Sequence, residues 1–290
     1  MPRVDLAILA LLTVIWGTTW AVIRVGLEAV PPQTGAALRF GVAAVVLLGV
    51  ARLRGVVLGR APHERWLWLA NGALSFAISY GIVYWAEQYI PSGLAAILFA
   101  TFPLFVLLWG HWLLPDERLT AGRLLGVLAG FSGIALLYSE DLGRLAGPKA
   151  TLAALVMPLA PFASALGQVV VKRWGRGVHP VSITALPMGF CALVLGAIAA
   201  LTERDRVITW SASAIGSVLY LALVGSAIAF YLYFHLLARM KASTLSLVAY
   251  TSPLVAVLVG VAAFGEPLTP RIALGTLTVL LGVALAVRHR

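Results

Sequence analysis

Apolar residues come along this chain in long runs, each closed by a short polar or basic stretch. A helix needs about 20 mostly apolar residues to cross the hydrocarbon core of a bilayer. Ten runs meet that length, at 6–24, 34–51, 66–87, 92–113, 122–139, 149–171, 180–201, 211–236, 242–264 and 271–287. The stretches between them are too short to form a domain. None of the runs alternates with the period of two that barrel strands require. The pattern predicts an all-α integral membrane protein of ten transmembrane helices. The first run is read as a span rather than a cleavable signal. It is too long, carries Trp16 and Trp20, and lacks a small-residue cleavage site.

Composition sharpens this. Hydrophobic residues make up 61% of the 290 residues and charged ones 11%, against about 25% charged in soluble domains. The single cysteine, Cys191, excludes a disulfide scaffold. A net charge of +10 invites a nucleic-acid reading, but the basic residues sit between the apolar runs. With the N-terminus in the cytoplasm, fourteen of the 21 Lys and Arg fall on the inner side and six on the outer, with Arg39 inside span 2. That asymmetry is the positive-inside signal. It predicts both termini in the cytoplasm and basic contacts with anionic lipid headgroups, with no nucleic-acid partner.

The two halves repeat each other. Thr101-Phe102-Pro103, Glu117-Arg118-Leu119-Thr120, Gly126 and Gly133 are matched by Thr251-Ser252-Pro253, Glu266-Pro267-Leu268-Thr269, Gly275 and Gly282. Arg24, Pro32 and Gly41 are matched by Lys172, Pro180 and Gly189, each displaced by 148 residues. Constant spacing over several features is the mark of duplication. Five spans per copy is an odd number, so the second copy enters the membrane from the opposite side. The expectation is two inverted five-helix repeats, 1–140 and 141–290, around a central cavity that opens to either face in turn.

Ten spans in two halves, the prolines of spans 4 and 9 and the Glu-x-Leu-Thr-x5-Gly-x6-Gly pattern resemble the drug/metabolite transporter superfamily, in its EamA-type exporters. Trp16-Gly17, the basic residues closing spans 1 and 6 (Arg24, Lys172) and Arg39 early in span 2 fit as well. Span 6 departs from the pattern, reading Met157-Pro158-Leu159-Ala160-Pro161-Phe162 without the tryptophan of span 1. The resemblance implies that spans 1–4 and 6–9 line the cavity, with 5 and 10 to the side. Within the group, the amino-acid exporters called YddG are the subgroup to compare, though no residue here marks it. A bacterial inner-membrane location goes with the resemblance.

Candidate residues follow from what a membrane helix tolerates. Pro103 and Pro253 each remove a helical hydrogen bond near mid-span, a bend read as a hinge or gate, with Thr101, Thr251 and Ser252 beside it. Trp16 and Trp20 share a face of span 1, and Asn71, Ser75 and Ser79 form a ladder on span 3 flanked by Tyr80 and Tyr84. Tyr231 and His235 are four apart on span 8, and Tyr250 precedes Thr251. Rings with polar tips suit an amphipathic solute. The candidate cavity is therefore Trp16, Trp20, Ser79, Tyr80, Tyr84, Thr101, Gln168, Tyr231, His235, Tyr250 and Thr251. Trp66, Trp68, Trp112 and Trp210 lie at span ends and read as an interfacial belt. Arg39 is read as a brace that snorkels or pairs with Glu87. His235 is the residue best suited to a proton-linked gate, with a solvated helix end as the plainer alternative. Thr120 and Thr269 read as caps of spans 5 and 10, with Glu117 and Glu266 favoured there by the helix dipole. Gly122, Gly126 and Gly130 form a close-packing face, within the molecule or in a weak homodimer.

No zinc-binding or Walker motif is present, so neither a metal, a cofactor nor ATP hydrolysis is expected, and the chain is read as a transporter rather than an enzyme. No carboxylate lies at mid-span, which disfavours exchange of a proton for a cationic drug. The leading expectation is export of small amphipathic metabolites, amino acids first. A multidrug exporter and an integral-membrane enzyme are the alternatives. Topology gives the first test. In a chain with Cys191 replaced, Leu145→Cys should label from outside and Leu58→Cys and Arg176→Cys from inside. Labelling of 58 and 145 from one side would end the inverted-repeat argument.

Overall fold

A computed structural model describes residues 2–59, 62–137, 147–252, 254–255 and 269–288. Pro253, Glu266, the last residues of predicted span 5 and the later part of span 9 lie outside the described residues. Among those described, the chain is helical and carries no strand. In order come α1 (Arg3–Leu27), α2 (Pro32–Leu53), α3 (Pro62–Ala86), α4 (Ser92–Leu113), α5 (Ala121–Leu137), α6 (Pro148–Trp174), α7 (Pro180–Thr202), α8 (Ala212–Arg239), α9 (Ala242–Ser246, helical again at 248–252) and α10 (Pro270–Arg288). Eight of these are long and apolar enough to cross a bilayer, and α5 is a shorter apolar helix.

Proline opens five of the helices: Pro32, Pro62, Pro148, Pro180 and Pro270. Its missing N–H costs nothing in a first turn, where that donor has no intrahelical acceptor. The helices leave large apolar side chains bare, among them Leu155 at 72%, Leu193 at 76% and Leu201 at 71% exposure. In water such a surface would aggregate; against lipid tails it is solvated.

Lipid gives no hydrophobic drive for helices to associate, so close packing through small residues takes its place. The broadest helix contacts join the first half of the chain to the second, among them α2 with α7, α5 with α10, α1 with α8 and α3 with α6. On α5, a Cβ at Gly133 would lie 2.7 Å from the Gly275 carbonyl oxygen, and one at Gly126 would lie 2.8 Å from that of Gly282. The glycine stripe of α5 therefore seats α10 within the same molecule. Gly17 of α1 meets the Ser252 carbonyl of α9 in the same way, at 2.8 Å.

Several spans depart from regular α-helix. Residues Gly72–Ile78 of α3 and Leu223–Ile228 of α8 are π-helical, a form that concentrates at functional sites. Helix α4 is interrupted between Phe99 and Phe102, and Pro103 sits in the first turn after the break. Helix α7 carries Pro187 in its interior. That proline has no N–H to give the carbonyl of Ile183 four residues back. The side-chain amide of Asn71 on α3 supplies the missing donor, with Nδ2 2.9 Å from the Ile183 oxygen. Asn71 is thus accounted for by a backbone defect in its neighbour.

This pairing is testable. Asn71→Ala should leave the Ile183 carbonyl bare and cost about 1–2 kcal/mol, seen as a lower Tm in detergent. Pro187→Ala restores the helical N–H, so the same Asn71→Ala change should cost little in that background. Equal losses in both backgrounds would separate the two residues.

Candidate functional site

At the centre of the molecule, helices from both halves enclose a cavity of about 90 Å³, well above the 10–15 Å³ or so that one water occupies on the same measure. Its wall comes from α1 (Trp16, Thr19, Trp20, Ile23), α2 (Arg39), α3 (Ser75, Tyr80, Val83), α4 (Ala96, Phe99, Ala100, Phe102), α6 (Ser164, Gln168), α8 (Phe230, Tyr233, Phe234) and α9 (Val248, Ala249, Ser252). Helices α5, α7 and α10 give it no lining residue among those described.

The wall is mainly aromatic. Trp16 packs on Phe230 and Tyr233 with centroids 5.4 and 5.1 Å apart, and Trp20 on Phe99 at 5.7 Å. Tyr80 meets Phe40 at 4.8 Å and Phe230 at 6.1 Å. Such tilted and edge-on contacts match the ring quadrupoles, and they link α1, α2, α3 and α8 around the space.

One cation lies in this wall. Arg39 is 1% exposed. Its Nε donates to Ser226 Oγ at 2.7 Å, Nη2 to the Gly225 carbonyl at 3.3 Å and Nη1 to the Tyr84 hydroxyl at 3.5 Å. The first two acceptors belong to the π-helical turn of α8. The guanidinium also lies over the rings of Tyr80 and Phe40, 4.8 and 5.1 Å from the centroids. The expected partner, Glu87, accepts instead from Ser92 Oγ at 2.9 Å, and no ion pair joins it to Arg39 among the described residues.

The sequence-derived candidates divide by position. Trp16, Trp20, Tyr80 and Gln168 line the cavity. Gln168 is held on both sides, donating to the Ala242 carbonyl at 3.1 Å and accepting from Tyr233 at 2.5 Å. Tyr84 stands behind Arg39, and Ser79 is buried outside the lining. Thr101 closes the α4 break by donating to the Leu98 carbonyl at 2.7 Å. Thr251 bonds Thr13 of α1 at 2.8 Å and the Val248 carbonyl. Tyr250 points away into the α5 interface, where its hydroxyl reaches the Val127 carbonyl at 2.8 Å and its ring fills the space left by Gly130. Tyr231 and His235 stack on each other, centroids 6.3 Å apart, away from the lining. Pro103 is buried next to lining residue Phe102.

Phe99, Phe230 and Tyr233 escaped the sequence reading. An apolar helix carries no polarity contrast between its lipid and interior faces, so nothing in its pattern selected Tyr233 over Tyr231. Trp68 was assigned to the belt, yet its indole donates to Ser182 on α7 at 3.0 Å. Thr120 and Thr269 cap their helices, accepting from the N–H of Arg123 and Ile272. Glu117 caps α9 rather than α5, accepting from the Ala242 and Ser243 N–H groups at 2.6 and 2.8 Å.

An apolar bundle with defects sealed by side chains and a cavity lined from both halves defines a polytopic membrane protein. The sequence places it more narrowly. The chain belongs to the EamA-like transporter family, whose model matches residues 5–139 and again 151–288. It is 35% identical over 263 residues to the uncharacterized inner membrane transporter YedA of Escherichia coli, covering 89% of this chain and 82% of that one. Protein PecM of Dickeya dadantii is 32% identical over 256 residues, with 85% and 80% covered. A crystal structure superposes with a TM-score of 0.81 over 100% of this chain and 99% of its own, at 22% identity, a likeness of fold.

The geometry separates cavity rings from packing rings. Trp16→Ala and Tyr80→Ala should each raise the half-saturation concentration of a bulky apolar solute severalfold, as expected for losing a ring contact of about 0.5–1.5 kcal/mol. Tyr250→Phe should lower Tm without changing the ranking of solutes. A changed ranking in Tyr250→Phe, with none in the other two, would misplace the site.

Proposed function

We propose that this transporter exports small amphipathic metabolites, amino acids with apolar or aromatic side chains first among them, across the bacterial cytoplasmic membrane by alternating access. The observation that carries the reading is the central cavity: aromatic rings from α1, α3, α4 and α8 around a few polar groups. That surface fits a solute with an apolar body and one polar head. No acid lines it among the described residues, which argues against a cationic drug as the main cargo.

Alternating access in two inverted repeats, 1–140 and 141–290, is supported by the duplicated sequence pattern and by two separate matches to the family model. Matching contacts point the same way. Arg24 at the end of α1 donates to the Glu87 carbonyl, just past the end of α3, at 3.1 Å. Lys172 near the end of α6 donates to the Leu237 and Met240 carbonyls at the end of α8, at 2.8 and 2.9 Å. In the proposed topology the first contact lies outside and the second inside, one on each face. The break before Pro103 provides a hinge beside the cavity, and Pro253 occupies the matching place in the sequence.

Counterflow from proteoliposomes tests the reading. Vesicles loaded with unlabelled phenylalanine, leucine or tryptophan should take up the labelled amino acid several times faster than protein-free vesicles. Flux of cationic dyes without amino-acid flux would favour a drug exporter and overturn the proposal.

A further inference from the structure

We infer that the guanidinium of Arg39 is the receptor for a carboxylate on the transported solute, with the indole N–H of Trp16 and the hydroxyl of Ser75 as accessory donors. This rests on the reading of the cavity as the transport site and names the chemistry of its polar pole. The first ground is charge. A fully buried cation is costly to hold without an anion nearby, and Arg39 has only neutral acceptors: a serine hydroxyl, a peptide carbonyl and a tyrosine hydroxyl. A purely structural brace would be matched by an acid or would spend its donors. Arg39 has five N–H groups and makes three hydrogen bonds, two of them at 3.3 and 3.5 Å, while forming part of the cavity wall.

The second ground is independent of Arg39. Among the buried side-chain polar atoms without a hydrogen-bond partner are Trp16 Nε1 and Ser75 Oγ, and both residues line the same cavity. Buried polar groups are nearly always satisfied, so orphan donors around a cavity mark where a ligand's acceptors belong. The other lining hydroxyls and amides with assigned bonds are committed: Thr19 to the Trp16 carbonyl, Ser252 to the Val248 carbonyl and Gln168 to Ala242 and Tyr233. What remains is a guanidinium, an indole N–H and the hydroxyls of Ser75, Ser164 and Tyr80 beside a wall of rings. A carboxylate on an apolar or aromatic body satisfies all of it. The guanidinium takes a carboxylate in a bidentate pair, and the pair is neutral, which suits passage through a low-dielectric interior.

Four compounds with the same phenylethyl body isolate the head group: 3-phenylpropanoate, L-phenylalanine, L-phenylalaninamide and phenethylamine. Binding to the purified full-length protein in nanodiscs is read by quenching of tryptophan fluorescence. The two carboxylates should bind at least tenfold more tightly than the amide and the amine. Arg39→Gln should remove that preference and Arg39→Lys keep part of it. Trp16→Phe, which keeps a ring and deletes the donor, should weaken the carboxylates several times more than phenethylamine, whose head offers no acceptor, so the test survives if the Arg39 variants do not fold. Equal binding of phenylalanine and its amide to the wild type would overturn the inference while leaving amino-acid export standing. Tight binding of 3-phenylpropanoate with no amino-acid counterflow would do the reverse. Failure of every carboxylate to bind would also overturn the inference.

Discussion

Lipid offers no hydrogen bonds, and most of this molecule can be understood from that one deficit. Every N–H and C=O freed at a helix end or defect within the membrane has to be met by protein. Asn71 meets the carbonyl that Pro187 frees. Arg24 and Lys172 meet carbonyls at the ends of α3 and α8, where cations are also favoured by the helix dipole. Glu117 meets the opening N–H groups of α9, and Glu203 those of Gln33 and Thr34 at the start of α2, both at 2.9 Å. Most of these bonds run between the first half of the chain and the second. The side chains that seal the helix ends therefore also join the halves.

Against that accounting, the cavity stands out for unpartnered donors on two helices, Trp16 of α1 and Ser75 of α3. Elsewhere many polar groups inside the bundle are matched by a backbone defect or by another side chain. Around the cavity, Arg39, Trp16 and Ser75 keep donors in reserve. The π-helical turn of α8 contributes to this, since Gly225 and Ser226 within it are the groups that hold the guanidinium.

The halves share a pattern but not a chemistry. Displaced by 148 residues, the place of Arg39 on α2 falls to Pro187 on α7. One half puts a charge at that position and leans it on a π-helical carbonyl. The other puts a helix defect there and mends it with an amide from α3. Helices α2 and α7 still pack together through small residues, with Gly41, Gly189 and Gly196 facing alanines of the partner. A common frame thus carries different chemistry at the same register of its two halves.

The sequence by itself determined the medium, the helical class, most span positions and the family, because these depend on length, hydropathy and spacing along one strand of chain. It also exposed the residues out of place in lipid: Arg39, Gln168, Asn71 and the mid-span prolines. Only the tertiary structure decided which way they face. Interior and lipid are equally apolar, so a membrane helix carries no stripe to orient it, and Tyr250 and Tyr231 read as well as Tyr80 and Tyr233. The polar ladder Asn71, Ser75 and Ser79 assumed regular α-helical spacing, but π-helical turns run through it, and of the three only Ser75 reaches the cavity. The partner of a charge is a matter of three dimensions. Glu87 looked right for Arg39 along the chain, while the fold gave Arg39 to a turn of α8 more than 180 residues away.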